Sequence, residues 1–478
     1  MKGLEKLTFG ILFMTAAFLW PSPLLAQQEG GEKPKPAARL YPPLLDIADN
    51  QQGADAVTQT MQPDNLPLIG VQNPTLGTQE VRHSYWVPAI EYTNDARSNS
   101  LNPAANSGWN TTSFVSADVS WLEDWSHSRL SANYSGGGFF STDPILGNGQ
   151  YHQLSSAFEI DRRKWQMLFV DQFSYLPQTA FGFGGATGLA MPGVTGTLAV
   201  PLPGLQSAYV PSQTILTTNG SRYSDASAVQ LTYALNPRGS ITLAGVYGTL
   251  HFVDSGNVNN NTEILNVGYN YAISRKDTVG LIYVFSAYHY PGNPQAIGDH
   301  VGQFVYGRKV TGKLALKLAG GPEVAEFRVA IGGSTQKIGG SGNATLTYAF
   351  VRSSLAVSYT HGLSGGSGVF TGSNIDLVST TWNRQLTQIW NGSVKFGYAK
   401  NRQILSGSGL TPPNYDASVA GAGLSRPLGR TASLSLAYQA QIQGGNVPIC
   451  RNLTCATNYT VHEVFVTFQW HTRPLVLR

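Results

Sequence analysis

The sequence predicts an all-β chain, a transmembrane antiparallel up-and-down β-barrel of about 18 strands over residues 81–470. Three observations predict it. Charged residues make up 12% of the 478 residues, about half of the roughly 25% usual in soluble domains, yet apolar residues reach only 42%. Runs of period-2 alternation recur from Arg82 to Trp470. The connections between those runs alternate strictly between tight and long. Abundant Gly, Tyr, Phe, Ser, Thr and Asn in place of charge suits an aromatic-banded outer face and a polar, uncharged inner one.

The chain begins with a short basic segment around Lys2 and Lys6, an apolar run from Leu7 to Trp20, and Ala26 before Gln27. That is the layout of a secretory signal over residues 1–26, too short to remain as a spanning helix. No later stretch offers about 18 consecutive apolar residues, so an exported chain of this composition crosses a membrane with strands or not at all. Residues 27–80 are rich in Pro, Gln, Asn and Asp and show no sustained periodicity. They read as an extended periplasmic leader, with a plug or docking segment as the alternative because Leu44–Ile47 and Leu66–Ile69 are apolar.

The strand-like runs fall at 82–95, 111–122, 126–137, 151–160, 163–175, 222–236, 239–252, 262–273, 277–290, 299–309, 312–320, 341–351, 353–361, 374–384, 388–400, 416–426, 430–442 and 459–470. The count is even, as single-chain bacterial barrels require. Tight connections include 123–125, 161–162, 236–239, 274–277, 310–311 and 427–429; long ones include 96–110, 176–221, 321–340 and 443–458. With the N-terminus periplasmic, every tight turn falls on the periplasmic side. The last run shows the pattern best: Val464, Val466, Phe468 and Trp470 alternate with Glu463, Thr467 and Gln469. It is the expected closing strand.

On this parity the interior receives Arg129, Glu159, Lys313, Lys317, Lys395, Gln439 and Glu463, a polar and modestly cationic lining. Runs 239–252 and 374–384 alternate poorly, which leaves their register open. A barrel this wide encloses water unless something fills it. The loop 176–221, with Phe181, Phe183 and Leu189, is more apolar than a solvated loop; a constriction inside the mouth, an outer lid and a partner-binding surface are the three readings. Trp121, Trp125, Trp165, Tyr283, Trp390, Tyr398 and Trp470 are candidates for interfacial girdles. Arg162, Arg163, Lys164, Arg275, Lys276, Arg308, Lys309, Arg426 and Arg430 gather at tight turns, either as solvated turn charge or against lipid headgroups. The nearby Cys450 and Cys455 suit a local disulfide in an oxidising compartment, and no metal set accompanies them.

Two motifs invite enzymatic readings. The glycines of 182–188 look like a phosphate loop, but no helix start follows. Tyr359–Ser364 with Trp382–Arg384 resembles the outer-membrane phospholipase family, which pairs a His and a Ser two residues apart on one strand face. Here His361 and Ser364 are three apart, which sends them to opposite faces. Neither motif, nor the net charge of +4, argues for catalysis, a cofactor or nucleic acid.

The signal, the strand count and the aromatic-ended last strand resemble bacterial outer-membrane porin-like barrels. The Pro-rich leader resembles the poorly characterised barrels encoded beside exopolysaccharide export genes. The tail from Arg473 to Arg478 departs from the porin habit of ending on the aromatic. The resemblance implies the cell outer membrane, surrounding lipid, the barrel assembly machinery reading the last strand, and periplasmic polysaccharide-export components as partners. It implies a passive channel for small polar solutes or glycans; a dedicated exopolysaccharide conduit and a non-conducting surface scaffold or adhesin are the alternatives.

Overall fold

The computed structural model describes residues 84–98, 108–142, 147–176, 221–253, 257–329, 333–350, 352–366, 368–404, 413–429, 431–446, 458–473 and 475–476. The expected signal, leader, constriction loop with Phe181, Phe183 and Leu189, and cysteine pair lie outside them. The strands are β1 (Tyr85–Ser98), β2 (Trp109–Asp124), β3 (Ser128–Ser141), β4 (Gly149–Asp161), β5 (Trp165–Leu176), β6 (Arg222–Asn236), β7 (Gly239–Phe252), β8 (Asn260–Ala272) and β9 (Asp277–His289). They continue as β10 (Ala296–Lys309), β11 (Leu314–Val329), β12 (Gly333–Ala349), β13 (Ser353–Ser364), β14 (Ser373–Gln385), β15 (Asn391–Gln403), β16 (Asn414–Pro427), β17 (Ala432–Gly445), β18 (Tyr459–His471) and β19 (Leu475–Val476).

Each of the first eighteen strands pairs antiparallel with its sequence neighbours. The cylinder closes where β1 meets β18, from Ala89 opposite His471 to Arg97 opposite Glu463. Closure leaves no open edge among the staves, the condition for crossing hydrocarbon with strands. Two-residue β19 prolongs that seam, with Leu475 opposite Trp86 and Val476 opposite Tyr85. The C-terminal tail therefore contributes pairing beyond the last stave.

The tight turns close by local chemistry. Ser274 Oγ accepts from the backbone N–H of Lys276 and Asp277 at 3.0 Å each, and Thr387 Oγ1 does the same for Ile389 and Trp390 at 3.3 and 3.1 Å. Ser and Thr hydroxyls favour turns for this reason. Leu428 N donates to Ala432 O at 2.7 Å, with Gly429 at φ 85° between them.

One expected loop is a hairpin instead. β11 and β12 run in unbroken register from Leu314 opposite Tyr348 to Val329 opposite Gly333, across most of 321–340. Gly320, Gly321 and Pro322 read as loop punctuation in the sequence. Here the ladder to β10 skips from Val301 opposite Glu323 to Phe304 opposite Gly320. That gap accommodates a residue without an N–H.

Candidate functional site: the inward face and its strap

Pairing and burial sort the residues onto two faces. On β18, Val461, Glu463, Phe465, Thr467 and Gln469 are buried inward, while Val466, Phe468 and Trp470 are 43–45% exposed on the outside. Trp86, Ile90, Leu281, Phe304, Leu436 and Ile442 repeat this around the cylinder, with exposures of 40–63%. Large apolar side chains outward and polar ones inward invert a soluble protein and define a transmembrane β-barrel.

The outward face carries two belts. Near the tight turns, Trp165 packs on Tyr233 with ring centroids 4.3 Å apart, and the Arg426 guanidinium lies 5.5 Å from the Trp390 ring centre. Toward the long connections, tyrosines meet polar neighbours on the next stave: Tyr134 with His152 at 2.9 Å, Tyr283 with His300 at 2.7 Å, Tyr438 with His462 at 2.8 Å. Tyr359 and Tyr398 donate to Asp376 and Asp416 at 3.0 and 3.4 Å. Amphipathic rings with a polar tip suit the level where hydrocarbon gives way to water.

The residues expected inside fall in separate groups. Arg129 stands opposite Glu159, with Arg129 Nη2 3.8 Å from Asp124 Oδ2 and Gln166 Nε2 donating to Glu159 Oε1 at 2.6 Å. Lys313 lies in the turn before β11, its N–H 3.2 Å from Thr311 Oγ1. Lys317 is buried opposite Thr345, and Lys395 stands opposite Thr381. At the seam, Glu463 pairs with Arg97 and accepts from Gln439 and from Gln441, the latter at 3.0 Å.

The expected cationic interior is corrected by five further acids. Glu91, Asp95, Asp118, Asp299 and Glu323 are all buried and share the inward parity of their strands. Glu91 and Asp95 were readable from their alternation with Ile90 and Tyr92. Glu323 was hidden in a stretch that reads as loop. The poor alternation of 239–252 has a cause too: Ala244 and Val246 join Ala157, Leu168, Val170, Ala226 and Ala228 in an apolar inward patch, so β7 is apolar on both faces.

Residues joining β13 to β14 form a strap. Gly366, Gly368 and Gly372 have φ of 88°, 77° and 85°, a region that L side chains avoid. Val258 N donates to Gly368 O at 2.7 Å, and Phe370 stacks on Tyr415 of β16 with centroids 5.4 Å apart. A β-carbon at Gly368 would strike Phe252, at Gly365 Asn260, and at Gly372 Ile297. The segment therefore lies against β7, β8 and β10 on one side and β16 on the other. His361 and Ser364 part company here. His361 Nδ1 meets Asp376 at 2.6 Å on the outward face, whereas Ser364 Oγ meets Ser373 Oγ at 2.8 Å on the inward one.

No family model matches the chain, and no curated protein matches it. Among solved structures it is similar to OpdQ of Pseudomonas aeruginosa, with 11% identity, a TM-score of 0.40, and 82% of this chain and 98% of that chain covered. It is also similar to OccAB3 of Acinetobacter baumannii, with 9% identity, a TM-score of 0.43, and 81% and 99% covered. The P. aeruginosa outer membrane protein OpdK matches with 8% identity, a TM-score of 0.42, and 81% and 99% covered. Likeness at this level carries no functional weight, and the barrel rests on its own pairings.

Proposed function

We propose that the chain is a passive outer-membrane channel for small polar solutes, with its tight turns and N-terminal side in the periplasm. The carrying observation is the closed cylinder with its faces inverted, apolar outward and polar inward. A wall of this kind gives solutes a route across hydrocarbon without a moving part. Selection falls to the strap, which narrows one mouth, and to the inward charges below it. Export rather than residence in a plasma membrane accords with spanning strands in place of spanning helices; among the described residues no helix is long and apolar enough to cross.

A glycan is the second class of cargo. The inward amides Gln439, Gln441, Gln443 and Gln469 lie on β17 and β18; Gln439 and Gln441 donate to Glu463, and an amide oxygen still accepts from a hydroxyl. A dedicated exopolysaccharide conduit would use such a row, with periplasmic export components docking on the leader.

Planar-bilayer conductance of the purified full chain tests the reading, together with liposome swelling in sugars of increasing size. Discrete conductance steps and a size cut-off support it. A silent, sealed barrel would turn attention to a scaffold role.

A further inference from the structure

The outward face of β15 changes character along its length. Val394 and Phe396 are 44% and 47% exposed toward hydrocarbon; Tyr398 follows, and Lys400 and Arg402 share the same outward parity. From Trp390 to Lys400 the chain covers about 33 Å of strand, or about 25 Å of height at a tilt near 40°. That is the thickness of the apolar band of a membrane barrel. Lys400 therefore stands where acyl chains give way to headgroups, on the side of the long connections, and Arg402 about 5 Å beyond it.

These two cations stand apart from the other lysines and arginines described in that half of the barrel. Arg97 and Arg222 face inward, and Arg328 and Lys337 sit near the end of the β11–β12 hairpin, where residues 333–340 are exposed on both parities. The nearest acids are already engaged. His361, Asp376, Lys400 and Asp416 form one row across β13 to β16. Asp376 meets His361 Nδ1 at 2.6 Å and accepts from the Tyr359 hydroxyl at 3.0 Å, and Asp416 accepts from the Tyr398 hydroxyl at 3.4 Å. Arg402 acts on Asp376 only through space and lies in register between Asn374 and Asn414. Among the described residues neither Lys400 nor Arg402 makes a hydrogen bond or an ion pair.

We propose that Lys400 and Arg402 hold the phosphate of a membrane lipid in the leaflet at the long connections. Two cations about 6.6 Å apart along one strand can each take a different oxygen of one phosphate, the guanidinium as a fork and the ammonium as a point charge. At the rim of the hydrocarbon the dielectric is lower than in bulk water, so the attraction is stronger there. Tyr398, Phe396 and Val394 continue the same face toward the membrane centre and offer the acyl chain a track. That continuity favours a lipid over a dissolved phosphate, because chain and headgroup are bound together. The inference needs a spanning wall and goes beyond the channel reading, since no conduction is involved.

The test measures phosphatidic acid binding to the full chain in dodecyl maltoside by native mass spectrometry, with diacylglycerol of the same chains as the control lacking phosphate. The wild type should retain phosphatidic acid saturably and diacylglycerol far more weakly. Lys400→Gln/Arg402→Gln should lose roughly tenfold in affinity while keeping its heat-modifiable gel shift, since both side chains stand outside the barrel's own contacts. Arg328→Gln/Lys337→Gln removes the same charge from the hairpin end and should bind as the wild type does. An equal loss in the two variants reduces the effect to net charge and overturns the site. So does equal binding by wild type and Lys400→Gln/Arg402→Gln, and so does no binding to the wild type. Displacement of phosphatidic acid by millimolar inorganic phosphate would assign the cations to a dissolved anion and overturn the lipid. Should the double variant fail to fold, Lys400→Gln and Arg402→Gln taken singly decide between the same outcomes. Because binding is read without current, a silent barrel that retains phosphatidic acid sinks the channel reading and spares the site.

Discussion

Arg97 and Glu463 face each other on the inside of the seam, the glutamate 1% and the arginine 22% exposed. Glu463 also takes hydrogen bonds from Gln439 and Gln441, so its charge is held by three partners. Removing one member of a buried pair leaves the other uncompensated, a loss of about 3–5 kcal/mol. Arg97→Met should therefore destabilise the refolded barrel by about that much in urea titrations, and Arg97→Met/Glu463→Leu should recover a large part of it. At the other end of the barrel, Lys317 and Lys395 are the inward cations nearest the turns of their staves. Their double reversal to glutamate should shift the reversal potential in a KCl gradient toward cations; an unchanged potential removes these side chains from the path. Gly429 shows the smallest scale of requirement. Its φ of 85° makes Gly429→Ala a loss of about 1 kcal/mol, although the space around it is open.

The strap is the element that matters most for passage. Gly368→Val both forces a side chain against Phe252 and imposes a β-branched residue on a left-handed φ. The strap should then detach from β7 and β8, and single-channel conductance should rise; conductance equal to wild type would mean the strap does not set the aperture. At this scale the sequence was legible in part. Alternation on β18, β12 and β17 is clean because one face meets lipid and the other polar neighbours. β7 escapes it because its inward Ala244 and Val246 join an apolar patch. The β11–β12 hairpin escapes it because Gly320, Gly321 and Pro322 mimic a turn while the ladder to β12 runs on. The strap itself offers no alternation to read, only a run of glycines. Its reach across the barrel depends on contacts with β7, β8, β10 and β16, which no local pattern encodes.

For the whole molecule, closure is the property on which all else depends. β18 meets β1 over nine residue pairs and β17 over twelve, so a chain ending at Thr460 presents two unpaired edges to hydrocarbon. Each orphaned backbone group there costs several kcal/mol. Such a truncation should fail to reach the heat-modifiable, membrane-inserted state; normal insertion would show that another strand can close the cylinder. Fold class, strand count and the alternation of tight and long connections were visible in the sequence because they follow from local chemistry and periodicity. The charge of the interior was not, because it depends on the parity of strands whose neighbours blur it.

A wide cylinder sealed only along its wall has little to keep its cross-section round. The strap leaves the wall at β13 and β14 and rests on β16 two positions away on one side and on β10, β8 and β7 three to six positions away on the other, which makes it a chord rather than a fringe. It works as a spoke. Squeezing the barrel along that chord compresses Gly368 onto Phe252 and Gly372 onto Ile297, and stretching it breaks the Val258–Gly368 hydrogen bond. The opening is therefore braced in one direction and compliant in the other, and lateral pressure from the bilayer would deform it into an ellipse of fixed orientation.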